Sequence, residues 1–527
     1  MIVDKTAKRF AKNRDFINVV ILLAIALGVG IYLIATTVLI AKDGVFYIEQ
    51  AQKFASDPVG VIKGTPFGYP FLIFTAHKAA VFFSNSSSVY SWIYTGQAVS
   101  LLCRLLSIIA LYFIGKVLVG SKNSFWAVLI LIMLPYPARF GSDVLREWPH
   151  ILFLSAGFLF LIWAATQDKW WMFGPAGLAS GMGYLFRIEC AQLIFYGFFL
   201  LASNLFLSSR KWPIKKLVLA GLLLFAGFAI PAGPYIKVAG LPRQLLNIIK
   251  APAVRTNMSY HKEGPVGQSD SFQCQSKFIF GNIPKAFGRF AVAISENLLY
   301  FFVPFLLIGI YYHLRKHPAD DSEKLLMSVF ILFNVLIFVW LHSERGHNSS
   351  RHILPLVALT VFYIPVGLEI AAENLNSKLS MIRRKSNSTG AKSFPWFLAL
   401  IVIGMGICLP KLSRPMRSDK EGYRTAAAWL RENTTERDRI ITADRRITFY
   451  AGRAGLKSGS KRIPKKADYI VKIFKGNKET LTSLPPRIKL EKVYSLNLGM
   501  NDKRIVIYKV LRRGKQQVVW GHKLYFP

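Results

Sequence analysis

The chain opens with Lys5, Lys8, Arg9, Lys12 and Arg14 and then runs apolar from Ile17 to Ile40. A stretch of about 24 residues at ~1.5 Å per residue is long enough to cross a hydrocarbon core. No small-residue cleavage site follows it, so the pattern predicts a retained span rather than a removed signal. Tyr69 to Phe83 is apolar but short, which predicts a juxtamembrane or re-entrant helix. Further apolar runs lie at 91–115, 124–138, 149–166, 171–187, 190–208, 214–237, 295–314, 324–341, 352–371 and 394–410. The expected total is about eleven spans.

Beyond Lys411 the pattern changes. Ala426 to Glu432 reads as a helix, while Arg439–Asp444, Asp468–Ile473 and Arg504–Val510 are β-branched and apolar between turn residues, as strands are. The expected fold class is an α-helical polytopic membrane protein with a small C-terminal α/β domain. The membrane module covers 1–411, with outer loops at 41–70, 138–148 and 239–294, and the soluble domain covers 412–527.

Composition supports this class: 53% of the 527 residues are hydrophobic. The net charge of +39 does not indicate nucleic-acid binding, because the basic residues are scattered among apolar helices and no nucleic-acid motif occurs. It fits retention of inner loops and attraction to membrane lipid headgroups. The basic N-terminus is expected in the cytoplasm, and an odd number of spans puts the tail outside. Inner loops then carry Lys116 and Lys122, Lys169, Arg210 to Lys216, Arg315 to Lys324, and Lys378 to Lys385, although the outer loops are basic too. The four cysteines, Cys103, Cys190, Cys274 and Cys408, lie far apart and offer no disulfide framework or metal-ligand spacing.

Charged residues at the ends of spans are the candidates for chemistry. Asp43 follows the first span and is either a general base or the cap of the amphipathic stretch after it. Gly141-Ser-Asp-Val-Leu-Arg-Glu147 places Asp143 and Glu147 four apart, on one face if the turn is helical; Arg146 and Glu147 also suit a plain ion pair. Arg187 either grips a phosphate or pairs internally with Glu189. Arg345, His347, Arg351 and His352 suit a diphosphate or phosphate, or lipid headgroups, and their spacing fits no standard zinc site. The loop 239–294, with Arg243, Lys250, Arg255, His261, Lys262, Glu263 and Lys277, either covers the site or is a solvated basic loop.

In order along the chain, these motifs resemble those of the GT-C superfamily of integral-membrane glycosyltransferases. The closest likeness is to the bacterial branch of aminoarabinose transferases and dolichyl-phosphate-mannose-protein mannosyltransferase-like proteins. Asp43-Gly-Val-Phe-Tyr47 through Pro66-Phe-Gly-Tyr-Pro70 is similar to the family's first outer loop. Val144-Leu-Arg-Glu147 is similar to its second-loop acidic motif. Arg187-Ile188-Glu189, closing an Ala-Gly-rich stretch, resembles Arg-Pro-Glu, and Arg351-His-Ile-Leu-Pro355 resembles Arg-Tyr-Leu-Leu-Pro. Tyr423 to Glu432 and Asp444 to Arg453 resemble the family's outer domain.

The resemblance implies the GT-C fold and a transferase at the outer face of the bacterial inner membrane. A sugar would pass from a polyprenyl-phosphate donor to a lipid, glycan or protein acceptor, usually with inversion. Asp43 takes the role of base, with Glu147 or Asp143 as a second acid. Arg187, Arg345, His347 and Arg351 hold the donor phosphate, and Tyr47, Tyr69, Arg146 and Glu189 contact the acceptor or the loops. The chain departs from the pattern in flanking a lone Asp43 with Lys42 and Gly44, and in Ile188 and His352. No cofactor is required and a divalent metal is optional. A lipid-linked saccharide transporter or flippase, or an O-antigen-type ligase or polymerase, is the competing reading; the first would bring internal repeats and midplane charges.

Overall fold

The computed structural model describes residues 2–84, 87–206, 212–240, 283–315, 321–345, 349–385, 394–457, 467–475, 488–498 and 503–512. It forms two compact units. The first comprises Met1–Ala35, Tyr47–Phe83 and Tyr94–Arg414, and the second Thr36–Phe46, Ser84–Ile93 and Pro415–Pro527. The expected loop 239–294 lies outside the described residues apart from its two ends, and with it Arg243 to Lys277.

The first unit is helical. Its elements begin with α1 (Ile2–Ala35), α2 (Lys42–Lys53, which runs in from the second unit), α3 (Pro58–Gly64), α4 (Gly68–Ser84), α5 (Val89–Met133) and α6 (Pro135–Phe140). They continue with α7 (Glu147–Thr166), α8 (Phe173–Tyr184), α9 (Gln192–Phe206), α10 (Ile214–Ala239), α11 (Ile283–Asn297) and α12 (Val303–Arg315). The last are α13 (Asp321–Arg345), α14 (Leu354–Thr360), α15 (Tyr363–Lys385) and α16 (Trp396–Ser413).

Among the described residues, seven helical stretches are long and apolar enough to cross a membrane, or eight if Ser350–Thr360 and Tyr363–Lys378, bent by 64°, make one span. That is fewer than the eleven expected, for local reasons. The runs at 91–115 and 124–138 enter that count as one stretch although they are two helical segments: the chain reverses at Gly120 (φ 81°), so that Ser124 donates to the Tyr112 carbonyl at 2.6 Å and Arg104 to the Ile132 carbonyl at 3.0 Å. The run at 295–314 is split by Leu299 and Tyr300, both left-handed, between α11 and the 13-residue α12. The run at 171–187 yields only the 12-residue α8.

The glycines of α8 account for its packing. A Cβ on Gly177 or Gly181 would collide with the backbone carbonyls of Leu224 or Phe228. The two backbones of α8 and α10 therefore lie against each other, as small residues permit between membrane helices. This contact anchors the chain just before Arg187. At another end of the unit, Asp15 of α1 accepts from Tyr112 (2.7 Å) and Ser121 (2.9 Å), and Lys122 pairs with Glu369 at 2.9 Å. These bonds gather the start of the first span and the Gly120 break, the positions expected on the inner side.

The second unit holds a five-stranded sheet and two helices. Its elements are α17 (Glu421–Asn433), β1 (Arg439–Thr442), α18 (Arg445–Ala451), β2 (Ala454–Lys457), β3 (Tyr469–Lys475), β4 (Ile488–Leu498) and β5 (Lys503–Arg512). The strand order is β2-β1-β3-β5-β4. β1 is parallel to β2 and β3, while β5 runs antiparallel to β3 and β4. Ile441, Ala467, Ile470, Phe474, Val506 and Tyr508 form its core. Arg453 donates to the Arg431 and Thr434 carbonyls at 2.7 Å each, capping the open C-terminal end of α17. The helix and three strands expected from the sequence are present; β2 and β4 were not anticipated.

Candidate active site

The site in the first unit is built on a turn that helix α5 holds in place. Gln97 donates to the Ser142 carbonyl (3.0 Å), Ser100 to the Leu145 carbonyl (3.1 Å), and Trp148 Nε1 to the Pro137 carbonyl (2.9 Å). Buried Asp143 accepts from the Val144 N–H at 2.8 Å. The turn is not helical. Helix α7 starts only at Glu147, so Asp143 and Glu147 do not share a helix face. Asp143 is turned toward its own backbone, and Glu147 stands at the head of α7.

Arg187 reaches Glu147 from α8. After Tyr184 the chain passes through Arg187 in extended conformation and turns into a short 3₁₀ segment, Ile188–Ala191. Ser180 donates to the Cys190 carbonyl at 2.9 Å and holds that reversal against α8. Arg187 is 6% exposed. It lies 3.1 Å from Glu189 and 3.9 Å from Glu147. Burial works against its charge, but Glu189 and Glu147 more than offset it, and the guanidinium is held protonated above its ordinary range.

Arg351 arrives from the far part of the chain and lies 3.5 Å from the same Glu147 oxygen. It sits in the 3₁₀ turn Ser350–Ile353, where Ser349 caps its backbone N–H. Asn297 donates to the Ser350 carbonyl at 3.2 Å and Ser350 to Glu296 at 3.0 Å, which ties that turn to α11. Glu147, 6% exposed, is thus held between two guanidiniums.

Arg146 adds a third cation beside the pair. It donates to the Phe186 carbonyl (3.4 Å) and lies over the Tyr47 ring, 5.9 Å from its centroid. Tyr47 packs edge-on against Tyr69 at 5.2 Å. Tyr69 is buried, bonded to Ser100 (2.7 Å) and the Gly96 carbonyl (3.1 Å), and burial pushes its hydroxyl well above the usual range. Three arginines against Glu147 and Glu189 leave a local excess of one positive charge. Arg351 is the partly exposed member, its side chain 29% accessible.

Asp43 belongs to the second unit, in the first turn of α2. The segment leading to it is stitched to the tail. Arg446 donates to the Ile40 carbonyl (3.3 Å), the Ile40 N–H to Tyr450 (3.0 Å), and Arg417 to the Leu39 carbonyl (2.8 Å). Asp444 caps α18 and grips Arg446 at 2.6 and 2.9 Å. Burial opposes the Asp444 charge, but those bonds outweigh it and lower the carboxyl below its ordinary range. The Asp444 to Arg453 motif therefore shapes the backbone that presents Asp43.

Of the expected residues, Glu147, Arg187, Glu189, Arg351, Arg146, Tyr47 and Tyr69 come together in one unit. Arg345 ends α13 with its side chain outside the described residues, and His347 lies outside them. The sequence reading passed over His150, which is buried one turn beyond Glu147; its spacing of three from Glu147 on an apolar helix was the available signal. Among the described residues no group of three His, Cys, Asp or Glu side chains converges as a metal site would require.

Residues 91–230, which include the turn, α7 and Arg187, match the family model described as dolichyl-phosphate-mannose-protein mannosyltransferase. The fold is similar to that of ArnT from Cupriavidus metallidurans bound to undecaprenyl phosphate. The TM-score is 0.58 at 14% identity, over 93% of this chain and 97% of that one. It is also similar to the Archaeoglobus fulgidus oligosaccharyltransferase in the apo form, with TM-score 0.55 and 13% identity over 88% and 70% of the two chains. The same holds for AglB of that organism in complex with an inhibitory peptide and a dolichol-phosphate, at TM-score 0.52, 13% identity, and 88% and 69% coverage. No curated protein sequence matches the chain significantly. The fold is the GT-C fold, and the matched segment carries four of the five charged residues of the cluster, all but Arg351.

Proposed function

We propose that this chain transfers a sugar from a polyprenyl-phosphate donor to a lipid, glycan or protein acceptor at the outer face of the bacterial inner membrane, with inversion. The observation that carries the reading is the convergence of Arg187 and Arg351, far apart in sequence, on buried Glu147. A buried cationic cluster with one partly exposed arginine suits the charge of a departing phosphate. The undecaprenyl phosphate of the ArnT complex and the dolichol-phosphate of the AglB complex support a lipid phosphate as the ligand class.

In this reading Arg351 and Arg187 bind the donor phosphate and take up the charge that develops as the glycosyl bond breaks. Glu147 keeps the two guanidiniums apart and aimed. Asp43 removes the proton from the attacking acceptor hydroxyl, the task of a general base. Arg345 and His347 extend the phosphate site. No step runs through a metal. The basic N-terminus faces the cytoplasm, and the sheet-bearing unit faces the periplasm.

Donor transfer tests this. Purified protein in proteoliposomes is given radiolabelled polyprenyl-phosphate sugars and membrane extract as acceptor. Transfer that requires Arg351 is the expected result. Binding of donor with export across the bilayer and no transfer would replace the transferase reading with a transporter.

A further inference from the structure

His150 is a buried titratable side chain that the proposed reaction leaves without a task. It lies three residues beyond Glu147 in α7, so both side chains project from one face of the helix. Helical side chains lean toward the N-terminus, which carries the imidazole back toward the turn of Glu147. His150 is only 2% exposed. Its carbonyl receives the Cys190 Sγ–H at 3.8 Å, so the reversal after Arg187 is tied to this part of α7. The charges facing it are Arg187, Glu189 and Arg146.

Among the described residues, neither ring nitrogen of His150 has a hydrogen-bond partner, and neither do Glu147 Oε2 and Arg187 Nε. Each buried polar group left unmatched costs about 1–3 kcal/mol. Most buried polar side-chain atoms find a hydrogen-bond partner in the protein or in ordered water. Here four unmatched polar atoms lie on three side chains of this region, all shielded from solvent, and a bound group is one way to satisfy them.

The chemistry of these atoms selects the ligand. A phosphate oxygen is repelled by the Glu147 carboxylate and is served by Arg351 and the Arg187 Nη atoms. A hydroxyl both donates and accepts. It can donate to Glu147 Oε2 while accepting from an imidazole N–H, and the second ring nitrogen can accept from a neighbouring hydroxyl. Vicinal hydroxyls on a pyranose or furanose ring meet this arrangement. We propose that His150 and Glu147 Oε2 bind hydroxyl groups of the transferred sugar, so that His150 sets sugar specificity in the donor site. This rests on the site being that of a polyprenyl-phosphate-sugar transferase.

The test is equilibrium binding to the full chain in detergent or nanodiscs. The probes are polyprenyl phosphate without sugar; polyprenyl-phosphate glucose, galactose, mannose and arabinose; and deoxy versions of the tightest of these. Wild type should prefer one sugar-bearing donor over the bare lipid by at least about tenfold, the worth of one good buried hydrogen bond. His150→Phe should reduce that preference to within about twofold while leaving bare-lipid affinity unchanged, and His150→Gln should keep most of it. At least one deoxy donor should lose about tenfold on wild type, a result that needs no variant to fold.

Full sugar preference in a folded His150→Phe protein overturns the proposal. So does equal weakening of the bare lipid and the donors, and so does a wild type indifferent to every sugar and deoxy position. A wild type that binds neither the bare lipid nor any donor overturns the transferase reading instead.

Discussion

Arg187→Met removes the cation that buried Glu147 shares with exposed Glu189. Arg187 lies 3.1 Å from Glu189 and 3.9 Å from Glu147. At an effective dielectric near 20 the Glu147 contact is worth about 4 kcal/mol before desolvation, which cancels much of it, whereas the contact to Glu189, whose side chain is 41% exposed, is screened by solvent and worth about 1 kcal/mol or less. Deleting one member of a buried pair is different, because the remaining charge stays buried and unmatched, at a cost of about 3–5 kcal/mol. Glu147 retains Arg351, which holds Arg187→Met to the lower part of that range. Arg351→Met should cost only about 1 kcal/mol, since its side chain is 29% exposed and Glu147 keeps Arg187. Thermal unfolding read with a thiol-reactive dye suits this comparison, because Cys103, Cys190 and Cys408 are free and buried. Arg187→Met should melt several degrees below wild type and well below Arg351→Met. A larger loss in Arg351→Met, or no loss in Arg187→Met, would refute the electrostatic account of the cluster.

Other outcomes follow from the same geometry. Asp444→Asn weakens an N-cap and a bidentate pair and should cost about 1–2 kcal/mol in thermal unfolding. Because the folded carboxyl titrates below its ordinary value of 3.8, its contribution is complete above about pH 5 and fades as pH falls through and below the carboxylate range; Asp444→Asn should flatten the acid limb of a stability-against-pH curve. Arg446→Met loses the bond to the Ile40 carbonyl, so transfer should drop through kcat more than through donor KM. Tyr69→Phe gives up the bonds to Ser100 and Gly96 and should destabilise by about 1 kcal/mol without changing donor affinity.

Much of this was legible because hydrophobic length and motif order are local properties. The apolar run of α1, the Arg-Glu pair before α7 and the strands β1, β3 and β5 are each stated by a few neighbouring residues. What the sequence could not state was which charges meet. Arg351 reaches Glu147 only because α11 pins the 3₁₀ turn at Ser350, a contact across more than fifty positions. Asp143 looked like a partner of Glu147 by spacing, but spacing of four means a shared face only inside a helix, and α7 starts too late. The span count was high because the glycines of α8 give a short helix packed on α10 and because Leu299 and Tyr300 split the run at 295–314. The second unit draws in residues 36–46 and 84–93 as well as the tail, so the chain before Asp43 is ordered by Arg446 and Tyr450, which no local pattern reveals.

The most direct test of the transferase account is transfer from polyprenyl-phosphate sugars in proteoliposomes, wild type beside Asp43→Asn. Wild type should transfer, and the folded variant should fall by about a hundredfold or more while binding donor normally, the loss expected on removing a general base. Equal turnover in the two would remove Asp43 from the chemistry and contradict the account.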